Sequence, residues 1–316
     1  MMQTQSIPRG SRLGTFLRRH AGTAGLHLLL IAGGLVMAYP FMFGVLASFC
    51  TVPDFEQAVL LPMPTHFTFV NVKAVLQNED MWVWLRNSTI RCLWFAVVPT
   101  VLSLTSGYAF ARIRFPGRDI CFMLLLASLM VPGTVTLAPI FVMISRWPLL
   151  GGNSITGAGG TGMYDTWWAL LSLGLVNAFS IFFVRQTIQS VPIDYDESAR
   201  LDGAGVLRVI FGIYAPMMKP VIITVAVLST ATPSVIAIWN DYLTPLIFTS
   251  GSSNLDLTPI ATGVTAYATT IQLAQEVPDY PLVFAAAMLA MLPTILIFFL
   301  FQKYLVQGFA AVGVKG

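Results

Sequence analysis

Long uninterrupted apolar runs, not alternating positions, set the pattern of this chain. Six stretches stand out: Leu26 to Phe49, Cys92 to Ala111, Ile120 to Ile144, Trp167 to Val184, Val221 to Phe248 and Leu282 to Phe301. A helix crossing ~30 Å of hydrocarbon at ~1.5 Å per residue needs roughly 17 to 25 such residues. Barrel strands are about 10 residues of alternation, so these runs predict helices. The expected fold is therefore all-α, a polytopic membrane protein with six transmembrane helices. Between the fourth and fifth runs the pattern becomes amphipathic. Pro192 and Asp194 open a short helix there, with Glu197 in capping-box position relative to Asp194. Gly203 and Gly205 interrupt it, and a second amphipathic turn, Val206 to Tyr214, ends at Pro216.

Composition sharpens the membrane reading. Of the 316 residues 56% are apolar and only 10% charged, against about 25% charged in soluble domains, so the exterior is expected to face lipid. The net charge of +3 comes from scattered residues and leaves no footprint for nucleic acid. Cys50, Cys92 and Cys121 share no metal-type spacing and are read as packing residues. Thirteen of the 17 Lys and Arg residues fall on one side if the first tail lies in the cytoplasm, so both termini are expected there, in a cytoplasmic (inner) membrane. The expected organisation is an N-terminal tail over 1–20 and a transmembrane domain over 21–316. The latter includes a cytoplasmic loop at about 185–220 and a C-terminal tail over 302–316. The first run exceeds a signal-peptide core and is read as an anchor.

No Walker A, HExxH or GxSxG sequence occurs, and His20, His27 and His66 lie far apart. The chain is therefore expected to be no enzyme by itself, with no catalytic residue and no bound metal or cofactor. Pro99, Pro132, Pro139, Pro233, Pro245 and Pro293 within the runs are expected to kink helices, and such bends also suit a pathway lining. Gly151 to Gly162 reads as a flexible external loop, and Thr249 to Pro281 as a longer external loop able to meet a soluble partner. Arg91 is expected to snorkel to the membrane surface. Asp241, near the outer end of the fifth run, needs a partner or a purpose.

The 194–216 segment carries a resemblance. Glu197-Ser-Ala-Arg-Leu-Asp-Gly203, with Pro216 and Pro220 after it, resembles the EAA motif of binding-protein-dependent ABC transporter permeases. Gly107-Tyr-Ala-Phe-Ala-Arg112 with Phe115 and Gly117, Phe183-Val-Arg-Gln186, Trp239-Asn-Asp241 and Gly313-Val-Lys-Gly316 are similar to the carbohydrate branch of that family, as in the maltose permeases. The chain departs from the pattern at Ser198, in the glycine-rich insertion and in the extended N-terminal tail. The resemblance implies an importer of a sugar or oligosaccharide. In it a second permease subunit completes the pathway, two cytoplasmic ATPase subunits bind ATP and Mg, and an extracytoplasmic solute-binding protein delivers the solute. It assigns ATPase coupling to Glu197, Ser198, Ala199, Asp202, Gly203 and Pro216, and ATPase contact to Gly313, Lys315 and Gly316. Ser229, Thr232, Trp239, Asn240, Asp241 and Tyr242 offer hydroxyl-pairing groups and aromatic faces to a sugar, although such residues also serve helix packing and the membrane interface. The alternatives are a self-sufficient secondary carrier or channel, and an importer of a non-sugar solute such as a glycerol phosphoester.

Overall fold

A computed structural model describes residues 10–228, 234–274 and 278–313. Among the described residues there are helices and connecting loops, with no β-strand. The order is α1 (Gly10–Ser48), α2 (Val52–Glu56), α3 (Val70–Gln77), α4 (Glu79–Arg112), α5 (Arg118–Ser128), α6 (Gly133–Ser145), α7 (Trp167–Ser172) and α8 (Ala178–Ser190). Then come α9 (Asp194–Leu201), α10 (Val206–Val209), α11 (Ala215–Met217), α12 (Lys219–Ile223), α13 (Val235–Trp239), α14 (Leu243–Phe248), α15 (Ile260–Ala274) and α16 (Tyr280–Gly313). Wide π-helical turns, Ile210–Tyr214 and Thr224–Leu228, follow α10 and α12.

The organising element is α4. The Asn78 side chain accepts the Asp80 N–H at its start, Glu79 and Asp80 occupy its first turn, and Arg112 lies in its last. Both charge placements oppose the helix dipole favourably. Along its length α4 packs on α8, α13 and α15. At Gly107 a Cβ would stand 2.6 Å from Val184 Cγ1, so the approach of α4 to α8 depends on the missing side chain. Where α4, α8, α9 and the 209–225 segment meet, Leu104, Tyr108, Phe183, Ile188, Val209 and Tyr214 form one apolar core. Further along α4, Trp84, Cys92 and Phe95 pack with Ile238, Trp239 and Ala285 in a second.

Among the described residues three helices are long and apolar enough to cross a membrane: Gly25–Ser48 within α1, the whole of α4, and Tyr280–Tyr304 within α16. Two bent pairs raise this to five if each is one span. These are α5 with α6, bent by 105°, and Val206–Met217 with Lys219–Val227, bent by 86°. The described residues thus give three to five spans and not six continuous ones. The expected third breaks over 129–132, between α5 and α6, where Pro132 is the extended residue before α6. The fourth breaks between α7 and α8, where Gly174 has φ +83° and Asn177 caps α8 by accepting the Ser180 N–H. The fifth ends α13 at Trp239 and restarts at Leu243. Proline alone did not decide these breaks, because Pro99, Pro139 and Pro293 all lie inside unbroken helices.

Two further segments take definite form, and the second departs from the flexible loop expected. The described part of the N-terminal tail, from Gly10, is helical and continuous with the first span. The Gly151–Gly162 loop is compact. The Asn153 amide donates to Ser145 O and Trp147 O at 3.0 Å each and accepts Gly160 N–H, while Thr161 N–H donates to Gly151 O and Met163 N–H to Ile144 O.

Candidate functional site

The amphipathic segment folds as the expected pair of short helices. Helix α9 ends at Asp202 in a Schellman motif: Ala204 N–H donates to Ala199 O and Gly203 N–H to Arg200 O, with Gly203 at φ +76°. That left-handed position is why a glycine separates the two helices. The capping box does not form. Asp194 is already inside α9, Ile193 precedes it without a side-chain cap, and Glu197 is exposed. Ser198, Asp202 and Pro216 are exposed as well, whereas Ala199 is 7% exposed and packs into the core. Glu197 and Arg200 line, with Arg112, Arg114 and Val206, a cavity of about 490 Å³ between the ridge and the end of α4.

Beneath this ridge lies a clamp that sequence reasoning missed. Asp196, 3% exposed, receives the Tyr108 hydroxyl at 2.6 Å, the Tyr214 hydroxyl, and Arg112 Nε at 3.1 Å. Arg112 Nη2 also donates to Ile188 O at 3.0 Å and Val191 O at 2.6 Å. One carboxylate thus joins α9 to α4 and to the end of the 210–214 turn, while its arginine partner holds the end of α8. A buried charge is tolerated when paired and hydrogen-bonded, and both Asp196 oxygens are so bonded here. The signal was present in the sequence. Asp196 and Ala199, three residues apart, share the inward face of α9, where a carboxylate needs a reason.

A second ion pair lies further along α4. Arg91 Nη2 donates to Asp241 Oδ2 at 2.6 Å, with side-chain exposures of 1% and 17%. The expectation that Arg91 snorkels is therefore overturned, because the side chain turns inward to a carboxylate between α13 and α14. Asp241 Oδ1 also accepts the Thr244 N–H at 3.1 Å. Among the other proposed solute contacts, Trp239 is 5% exposed and its indole N–H donates to Ala290 O, while the exposed Asn240 folds back onto Ile236 O. Tyr242 is 39% exposed. Ser229, Thr232, Lys315 and Gly316 lie outside the described residues, and Gly313 is the last residue of α16.

At the end of α4 opposite the clamp, loops are stitched together. Asp165 accepts Ser250 N–H at 2.9 Å and the Asn254 amide at 3.1 Å, and Asn87 donates to Leu255 O and Thr258 O. Burial pushes the Asp165 carboxyl up, but the Ser250 and Asn254 hydrogen bonds outweigh it and hold it below the ordinary carboxylate value.

This helical assembly, with a glycine-hinged ridge clamped to a long spanning helix, has the architecture of a membrane transport subunit. Residues 100–310 match the family described as binding-protein-dependent transport system inner membrane component, and the chain belongs to that family. It is similar to the arabinooligosaccharides transport system permease protein AraQ of Bacillus subtilis, 30% identical over 80% of this chain and 81% of that one. It is also similar to the sn-glycerol-3-phosphate transport system permease protein UgpE of Pectobacterium atrosepticum, 27% identical over 89% and 94%. In fold it resembles a bacterial ABC transporter involved in import of the acidic polysaccharide alginate, with TM-score 0.69, 17% identity and coverage of 95% and 99%. The chain is a multi-pass, non-catalytic membrane permease, and in such ABC systems separate ATPase subunits hydrolyse ATP. That membership removes the self-sufficient carrier or channel.

Proposed function

We propose that this chain forms half of the translocation pathway of an ATP-driven importer of a sugar or oligosaccharide. A second permease subunit supplies the other half, and an extracytoplasmic solute-binding protein delivers the solute. Two ATPase subunits, carrying ATP and Mg, drive the cycle. The observation that carries the solute class is the 30% identity to an arabinooligosaccharide permease over four-fifths of this chain. The likeness to a glycerol phosphate permease keeps a phosphoester as the second reading.

Coupling runs through the ridge. Its exposed face offers Glu197, Ser198 and Asp202 to an ATPase cleft, while Ala199 and Asp196 fasten its other face to α4 and α8. A ligand shifts a conformational equilibrium only through differential contacts, so a ridge that transmits the ATPase state must move with the spanning helices. The Asp196 clamp supplies that rigid link. Both termini lie in the cytoplasm on the charge argument, and the tail at Gly313, Lys315 and Gly316 adds a second ATPase contact.

Reconstitution with the ATPase and binding proteins in proteoliposomes tests this. Glu197→Ala is expected to leave the permease's thermal stability within about 0.5 kcal/mol, since the carboxylate is exposed and caps nothing. Loss of an interface charge pair costs ~2 to 5 kcal/mol, so ATPase retention in a pull-down is expected to fall more than tenfold. Full retention with normal uptake would reject the coupling role. Competition of uptake by neutral oligosaccharides against glycerol phosphoesters decides the solute class.

A further inference from the structure

Arg91 is held by too few partners. Its Nη2 reaches Asp241, but Nε and Nη1 are buried with no hydrogen-bond partner among the described residues. The packing between α4 and α13 along this stretch is apolar, built by Cys92, Phe95, Ile238 and Trp239. Guanidinium donors left unmade in such surroundings disfavour the arrangement that leaves them so. Asp241 is differently placed. Its second oxygen starts α14 through Thr244 N–H, and it remains partly exposed beside the open turn of Asn240 and Tyr242.

An ion pair that favours one arrangement, and orphaned donors that favour any arrangement bringing acceptors, are what a two-state contact requires. We propose that Arg91 and Asp241 form a latch between α4 and the α13–α14 turn. It is shut in the arrangement described here and opens during the transport cycle, when Arg91 meets water or solute hydroxyls. The proposal rests on the transporter reading above. It makes Arg91 a positioning residue, acting through Asp241 and the turn.

Native Cys92 reports on it directly. The thiol is 6% exposed, adjacent to Arg91, and its Sγ lies 3.4 Å from Val235 O at the start of α13. In the complete transporter carrying Cys121→Ser to remove the exposed thiol, maleimide labelling of Cys92 is expected to accelerate at least tenfold when a non-hydrolysable ATP analogue is bound. Equal labelling in both states would overturn the latch. Independently, the neutral pair Arg91→Met with Asp241→Asn is expected to assemble at wild-type yield, while ATPase activity without solute rises severalfold and uptake per ATP falls at least fivefold. Wild-type coupling in that double variant, or failure to assemble, would mean that the pair serves only folding. Wild-type complex that shows no ATP-dependent uptake would instead reject the transporter reading itself.

Discussion

Arg112 and Arg91 belong to the same helix, about 30 Å apart at ~1.5 Å per residue, and each pairs with a single carboxylate from later in the chain. Their surroundings differ. Arg112 Nε meets Asp196 and the Tyr214 hydroxyl, its Nη2 meets two backbone carbonyls, and Asp196 accepts two phenols as well. Among the described residues Arg91 has one bond and two nitrogens without a partner. The first pair is a weld, because every displacement breaks several bonds at once. The second rests on a single contact, so one displacement opens it. A helix fixed at one ionic site and releasable at the other can carry motion from the ridge along its length, which neither site could do alone.

The largest effect is expected at the weld. Asp196→Ala leaves Arg112 buried without its counter-ion and two tyrosines without their acceptor, a loss of ~3 to 5 kcal/mol. Thermal unfolding of the purified permease should register it together with loss of ATPase retention. Arg91→Met, tested beside it, should cost less, and an equal or greater loss would erase the distinction between the two sites. Next comes Gly203→Pro, which removes the N–H donated to Arg200 and cannot adopt φ +76°. About 3 kcal/mol and all coupled uptake should go. Gly203→Ala meets open space, since no atom lies within 4 Å of its added Cβ. Only the left-handed backbone penalty of ~1 to 2 kcal/mol should remain, so a larger loss would point to a partner pressed against the ridge.

The smallest effect lies at the far loops. Asp165 is held below its ordinary value by its hydrogen bonds, so its folded carboxyl titrates below the unfolded ~3.9. Its contribution is present above that unfolded value and disappears as pH falls through the folded one. The stability difference between wild type and Asp165→Asn should therefore hold at neutral pH and vanish in acid. A difference that grew on acidification would contradict the assignment.

Much of this was legible in the sequence. The ridge could be read because glycine and proline punctuate an amphipathic pattern, and α4 and α16 because their apolar runs are long. The breaks were harder. Gly174 and Asn177 carry ordinary stop and start signals, yet hydropathy averaged over the Trp167–Val184 run conceals two polar-backbone positions among so many apolar neighbours. Arg91 was misread for a different reason. Whether an arginine in a spanning helix turns outward or inward depends on a carboxylate 150 residues away, and no local pattern reports that pairing. Asp196 was overshadowed by Glu197, its exposed neighbour, although only the inward-facing carboxylate shapes the fold.

Helix α1 has a consequence of another kind. At 39 residues it extends about 58 Å, nearly twice a hydrocarbon thickness of ~30 Å, and none of its most apolar window is buried within the chain. Leu29, Val36 and Met37 are more than 70% exposed. Such a rod must tilt or project beyond the headgroups; α16 beside it sets its packing, and a change in hydrocarbon thickness falls on it as mismatch. The thickness of the surrounding membrane thereby becomes a variable of this protein, acting through a helix that touches neither ionic site.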